Sequence, residues 1–521
     1  MHWANRVANE LIMQYPDKDE FVCASGISPS GSVHIGNFRE VVTTYFIVKA
    51  LQMQGKKARF LFSWDDFDRF RKVPGNIDPC FKQYIGMPYS DIPDPYGCHD
   101  SYAEHFEKEF EESLKEFDID AEFRYQSREY KSGRYNPQIL HALVYRKEIY
   151  DILISFKTQK PSEDERNSFY PITLYCEMCN KDDTHILNFN SETREIEYRC
   201  QCGQHGIQPI MEASNIKLNW KIDWPMRWMV EKVTFEPGGR DHSSDAGSFQ
   251  VSTEIAKEIF NYSPPEFIAY DFIGIKGCQG KMSSSTGNII TPKELLKTYL
   301  PDIILFMFSK YKPAAAFNIG LDEDVIRNYT EYERLKARYG NHTLEDEELC
   351  YSMILSNTST HIGPVPKFNQ IAGILPLINF DILLLQKVLT KIGEEYDFNA
   401  LKSISDRAEY WIRNWFPIKM HSWVNEKNLS YYATLNDLQR KWLRDFCSLI
   451  RHSWDIEGEQ LMPMIYGICH HEEKRVMRSN QKLLFQTIYM LMLNSRSGPP
   501  INLLIEAAGI EKTLELLDFT H

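Results

Sequence analysis

Residues 21–37 read FVCASGISPSGSVHIGN, and this stretch constrains the fold more than any other. Phe21 to Ala24 is a short apolar run of the kind that becomes a buried strand. Gly26, Pro29 and Gly31 then break it into a tight loop. His34-Ile35-Gly36-Asn37 follows and opens a helical pattern from Phe38 to Gln54. Ala58 to Trp64, ARFLFSW, is a second strand of buried type. Strand, helix and strand in this spacing make a parallel βαβ unit with a right-handed crossover, and ligands in such sheets sit beyond the carboxyl ends of the strands. A helix start offers unpaired N–H groups and positive dipole, which suit phosphate. A histidine in the first turn can donate to an oxygen that gains charge, and Gly36 lets the backbone approach a ligand closely. Taken alone, HIGN fits an ordinary loop with a capped helix at least as well.

A distant stretch changes that balance. Lys281-Met282-Ser283-Ser284-Ser285-Thr286-Gly287 is a hydroxyl-rich loop with one cation, and it follows the strand-like run Phe267 to Ile275 and a Gly-rich turn. The pair resembles the HIGH and KMSKS signatures of class I aminoacyl-tRNA synthetases in order and separation. With the blocks IDWPMRW (222–228) and EPGGRDH (236–242), the chain resembles class I lysyl-tRNA synthetases in particular, from about Gly26 to Pro313. Beyond that point the likeness is one of general character. The resemblance implies a ligase that activates lysine with ATP and magnesium and transfers it to tRNA(Lys), with tRNA bound before activation.

Read through that resemblance, His34, Asn37 and Lys281 are the catalytic residues. Gly36, Gly239, Asp241, Ser283 and Ser284 join them around ATP. Two departures matter. Asn37 stands where the second histidine of HIGH would be, and it donates without charge. Ser284 stands where a second lysine would be, which removes half of a phosphate clamp. For lysine, the residues are Gly26, Ser28, Glu40, Asp65, Trp220, His242 and Tyr270. Asp65, Asp66 and Asp68 fall at the end of the second strand, where they suit a cationic ligand or a metal, or are simply solvated loop charges. An ammonium needs an anion in a half-buried setting, so Glu40 and Asp65 are expected to grip it. An aromatic face such as that of Trp220 suits methylenes that end in a cation. Arg240 replaces the usual lysine of the Gly-Gly turn, keeping charge but not shape.

Metal ligands are the second expectation. Cys176-x-x-Cys179 stands ahead of Cys200-x-Cys202-Gly203 on what read as two knuckles, a zinc-ribbon spacing, with His205 in reserve for Cys202. Four protein ligands leave no open coordination position, so the role is structural, and such a ribbon is expected to meet the tRNA acceptor end. Asp94, Cys98, His99 and His105 form a further possible zinc set, weighed evenly against a loop with incidental polar residues.

At 521 residues and a net charge of −13 the chain holds several domains and is no general nucleic-acid binder, although one basic face suffices for tRNA. Its 11 cysteines favour metal over disulfides in a chain whose N-terminus lacks a secretory pattern, and no stretch reads as a membrane span, so a cytoplasmic monomer is expected. The expected fold class is α/β. A Rossmann-type parallel-sheet catalytic domain (1–71 and 213–315) carries a zinc-containing insertion (72–212, ribbon about 170–212), and an all-α anticodon-binding domain follows (316–521). Helices are expected up to Tyr15 and over Ser101–Phe117, Asn136–Phe156, Leu321–Arg338, Phe368–Ile378, Ile382–Ile392, Ile404–Trp415, Asn436–His452 and Gln481–Leu493. Strands are expected over Ala121–Gln126 and Val230–Phe235, with a polar linker at Pro161–Asn167. Two rivals remain: a glutamyl-type synthetase, whose pocket would carry arginine in place of Glu40 and Asp65, and a noncatalytic synthetase-derived RNA-binding protein.

Overall fold

The computed structural model describes residues 1–158, 161–242, 247–277, 289–358, 364–453 and 458–520. Lys281, Ser283 and Ser284 lie outside the described residues. The chain packs as two compact units. The first comprises Met1–Leu295, Pro301–Ile319 and His342–Thr360, and the second Leu296–Leu300, Gly320–Asn341 and His361–His521.

The first unit is built on a parallel sheet. Helix α1 (Trp3–Gln14) leads into β1 (Glu20–Ile27), α2 (Ile35–Met53) and β2 (Lys57–Trp64), and α3 (Tyr102–Glu116) precedes β3 (Glu122–Tyr125). A short antiparallel pair, β4 (Ile172–Leu174) and β8 (Ile216–Leu218), frames the antiparallel sheet of β5 (Thr184–Asn190), β6 (Glu195–Cys200) and β7 (His205–Pro209). The chain then adds β9 (Phe235–Gly239) and β10 (Glu266–Tyr270), and finally β11 (Ile273–Ile275), which pairs in parallel with β12 (Phe317–Ile319). The main sheet has the order β10-β9-β1-β2-β3, all parallel. Strand order reverses between β1 and β9, and there the loops after adjacent strands leave in opposite directions and open a crevice. Helix α2 is buried on most of its circumference, including Phe38, Val41, Val42, Thr44 and Phe46, which is why its sequence is apolar almost throughout.

Several boundaries differ from the sequence reading. Helix α2 begins at Ile35, so His34 is its N-cap and not a first-turn residue. The run 136–156 is two helices, Asn136–Val144 and Arg146–Ser155, because Tyr145 leaves helical geometry at ψ 20°. The strand expected over Val230–Phe235 starts only at Phe235. A helix over Trp220–Glu231 overrides the β-branched signal, since Trp220, Trp224 and Trp228 recur every four residues with successive ring centroids 5.0 Å apart, and it ends at Lys232 with φ 57°. The run Phe267–Ile275 breaks after Tyr270, where the Asp271 N–H donates to the Pro313 carbonyl, and its two halves join different sheets. The linker at 161–167 contains the helix Glu163–Ser168, whose cap Ser162 accepts from the Glu165 N–H, a Ser-x-x-Glu start that the sequence reading passed over.

The second unit is helical. Its helices include Asp324–Gly340, Phe368–Ile374, Ile382–Lys391, Phe398–Asn414, Asp437–Ser453 and Lys474–Leu493. Its core joins Tyr329 stacked on Phe368 at 4.0 Å, and Trp411 donates to the Leu321 carbonyl. Strand β12 lies in the stretch read as wholly helical, and it belongs with the first unit. Among the described residues no single helix is long and apolar enough to cross a membrane.

Candidate active site

The carboxyl ends of β1, β2, β9 and β10 surround a cavity of about 740 Å³. Gly26, Ser28, His34, Gly36, Asn37, Glu40, Asp65, Trp220, Gly239, Asp241, His242 and Tyr270 all line it. They come from five separate stretches, and the βαβ crossovers bring them together at the reversal point of the sheet. Asp68, one of the three strand-end aspartates, lines it too; the sequence reading missed Ser30, as well as Phe272, Ile273, Gly274, Ala316 and Asn318, which reach the cavity through the β11–β12 pair. Both described flanks of the KMSSS stretch are tied to this place. Strand β11 lines the cavity, and the Ile290 carbonyl accepts from the Ile35 N–H at 2.9 Å.

His34 has a defined orientation. Its Nδ1 accepts from the Gly36 and Asn37 N–H groups at 3.0 and 3.4 Å, which fills two of the donors a helix start leaves open. A neutral imidazole that accepts at Nδ1 carries its proton on Nε2, so the ring is a donor at its other edge. Gly36 is required by this arrangement, because a Cβ there would meet the His34 ring at 2.8 Å. Gly239 serves Asp241 similarly: a Cβ would lie 2.5 Å from the Asp241 carboxylate.

The acidic side of the cavity is a layered charge cluster. Glu40 keeps some surface toward the cavity, and its two oxygens accept from the Gly26 N–H at 3.1 Å and the Tyr270 hydroxyl at 2.7 Å. Burial pushes its carboxyl up to about 8, against the lowering effect of those two hydrogen bonds. Asp65 accepts from the Arg227 guanidinium at 2.7 Å, so one of its oxygens already has a cationic partner. Arg227 also lies 3.2 Å from Asp223 and rests over the Trp220 ring at 5.3 Å. Lys217 pairs with Asp68, which accepts from Ser28 as well. Three aspartates thus face two buried cations. Glu236, which accepts from the Trp228 indole at 2.6 Å, is raised by burial to about 7. The cavity wall thus carries Asp65 and Asp68, each backed by a buried cation, and beside them Glu40, a carboxyl reluctant to ionise unless a further cation arrives.

Two groups have metal-ligand geometry. At the end of the β5–β7 sheet, on the loop before β5 and on the end of β6 and the turn after it, the Sγ atoms of Cys176, Cys179, Cys200 and Cys202 lie within 4.8 Å of one another, with Cys176–Cys202 at 3.7 Å and Cys179–Cys200 at 3.6 Å. A tetrahedral zinc with bonds near 2.3 Å requires edges of about 3.8 Å, so these thiols fit the ion. Gly203, at φ 96°, turns the chain that presents Cys202. His205, held in reserve, bonds instead to Glu197 at 2.9 Å. The ribbon is a three-stranded sheet rather than two bare knuckles. Asp94, Cys98, His99 and His105 form the second group at the start of α3: Cys98 Sγ lies 3.1 Å from His99 Nδ1 and 3.3 Å from His105 Nδ1.

A family model described as tRNA synthetases class I (K) matches residues 1–358. The chain is 38% identical over 386 residues to the lysine–tRNA ligase of Treponema pallidum (strain Nichols), covering 73% of this chain and 71% of the relative. It is 34% identical over 523 residues to the lysine–tRNA ligase of Borreliella burgdorferi, covering 98% of each. The same-named protein of Pyrococcus furiosus is 32% identical over 514 residues, covering 96% of each.

Proposed function

The chain belongs to the class I lysyl-tRNA synthetases, a lysine–tRNA ligase family, and from that premise we propose how its cavity carries out the reaction. The lysine carboxylate attacks the α-phosphorus of ATP, the bond to the β-phosphate oxygen breaks, and pyrophosphate leaves. A terminal ribose hydroxyl of tRNA(Lys) then attacks the acyl carbon, loses its proton, and expels AMP. No side chain acts as a nucleophile. The rate comes from placing the reactants and stabilising the charge that moves. His34, through Nε2–H, and Asn37 would bind phosphate oxygens, and Asp241 the ribose. Lys281, Ser283 and Ser284 would meet the departing phosphates. Magnesium would come with ATP and screen its charge.

The observation that carries the lysine assignment is the acidic cluster. Glu40, held by two donors at the cavity wall beside Asp65 and Asp68, suits an ammonium. Lysine methylenes would lie along Trp220, with Ser28, His242 and Tyr270 around them. Asp65, engaged by Arg227, would contribute field more than a direct contact. Amino-acid-dependent ATP–pyrophosphate exchange, run with and without tRNA, tests this reading. Exchange with lysine supports it, and exchange with glutamate only, or none in the presence of tRNA, overturns it.

The pH dependence follows from Glu40. Below about pH 8 its carboxyl is mostly protonated in the free protein, and an ammonium must expel that proton. Lysine affinity is therefore expected to rise about fivefold between pH 7 and 8, and to flatten above until lysine's own amine, near 10.4, loses its proton. Calorimetry at pH 7 in two buffers of different ionisation enthalpy is expected to show close to one proton released per lysine bound.

Zinc held by both ligand groups would be structural. Ile196 and Tyr198 anchor the ribbon sheet in the core, and the ion would cross-link the two cysteine pairs at its edge. Elemental analysis is expected to give two zinc ions per chain, with Cys200→Ser and His105→Ala each losing one.

A further inference from the structure

Tyr102 opens helix α3 and is fully buried between Phe70, Tyr89 and Phe106. A tyrosine in such a cluster would ordinarily be phenylalanine unless its hydroxyl has work to do. That hydroxyl donates to the Ser30 carbonyl at 3.0 Å. Ser30 belongs to the Ser28–Gly31 loop, which lines the cavity. The loop is also held by the Ser30 N–H donating to the Ser28 carbonyl at 2.8 Å, and by the Ser28 hydroxyl donating to Asp68 at 3.2 Å. In a trans peptide the carbonyl of one residue and the N–H of the next point in opposite directions. Tyr102, by fixing the Ser30 carbonyl toward α3, therefore fixes the Gly31 N–H away from α3. Gly31 lines the cavity, and its N–H has no acceptor among the described residues. A backbone donor on a cavity wall that has no protein acceptor is placed to meet one in the working complex.

We propose that Tyr102 is a positioning residue whose hydroxyl sets the Ser30–Gly31 peptide so that the Gly31 N–H donates to a phosphate oxygen of the nucleotide. The proposal rests on ATP being the ligand of this cavity. Phosphate is the anion at issue because Gly31 leads into the α2 N-terminus, where open N–H groups and the helix dipole favour an anion. Tyr102→Phe keeps the ring packing and removes only the donor. It is expected to weaken ATP binding three- to tenfold, about the effect of one hydrogen bond. KM for lysine and the lysine-saturated kcat should stay within about twofold, because no contact to lysine changes.

Calorimetric ATP titration in the absence of lysine and tRNA reads this whether or not lysine is the amino acid activated. Failure of the proposal and failure of the lysine assignment are thus separable. Phe106→Leu, which loosens the same cluster but leaves the hydroxyl, is expected to lower Tm without changing the ATP Kd. Unchanged ATP affinity in Tyr102→Phe, a rise in the lysine KM alone, or an equal loss of ATP affinity in Phe106→Leu would each overturn the proposal.

Discussion

Replacing Glu40 by glutamine is expected to lower kcat/KM for lysine by about two to four orders of magnitude, with the ATP KM changed no more than a few-fold. The substitution is close to isosteric. The amide oxygen can still accept from the Gly26 N–H, and the amide nitrogen can donate to the Tyr270 oxygen. What is lost is the charge that answers the ammonium. The same change has a second, opposite signature in stability. Glu40 has a folded-state carboxyl raised to about 8 from an ordinary value of 4.5. The fold therefore favours the protonated form, and stability is fully present below about pH 4.5. It falls as pH rises from there to about 8, where the buried carboxyl ionises. The glutamine variant has nothing to ionise. Its Tm at pH 8.5 is thus expected to equal or exceed that of the unchanged protein. Steady-state exchange kinetics and a thermal melt at that pH check both halves. A variant with a lower Tm and an unaltered lysine KM would move the selecting charge elsewhere, with Asp68 the next residue to examine.

That double signature could not have been written from the sequence, although Glu40 itself could be named there. Residues whose identity is set by backbone demands or by a motif were legible: Gly26, Ser28, His34, Gly36, Gly239 and Asp241 each sit at a strand end or helix start that the local pattern already marks. The partners of the acids were not. Asp65 meets Arg227, and Asp68 meets Lys217, across gaps of 162 and 149 residues. Only the packing of the Trp220–Glu231 helix and β8 against the end of the sheet brings those cations in. Hence Asp65 read as a grip for the ammonium, while in the fold it is half occupied by an arginine. The Val230–Phe235 strand failed for a related reason. Local β propensity is a weak prior, and a tryptophan every fourth residue, each packed against the next, decides the conformation instead. Asn318 and Ala316 escaped notice because no short-range signal shows that β11 leaves the main sheet to pair with β12.

His34→Asn is expected to lower kcat for lysine-dependent exchange by roughly two to three orders of magnitude, the scale seen when one preorganised donor to a developing oxyanion is removed. The reason for asparagine is the cap. His34 Nδ1 fills the Gly36 and Asn37 N–H groups, and asparagine is among the best replacements at an N-cap, so α2 should keep its start and the Tm should move little. The shorter side chain cannot cap and also reach the place of Nε2. A second variant separates the ring's placement from its chemistry. Gly36→Ala leaves the imidazole in the chain but sets a methyl 2.8 Å from it, so the ring must turn away. If His34 acts through a directed Nε2–H, Gly36→Ala should lose kcat to a similar degree while its ATP affinity falls far less, because binding uses many contacts and the transition state relies on one well-aimed donor. Full kcat in His34→Asn would reduce the histidine to a helix cap. Full kcat in Gly36→Ala would mean that the ring's position, and with it the tight turn at the start of α2, is not what the chemistry depends on.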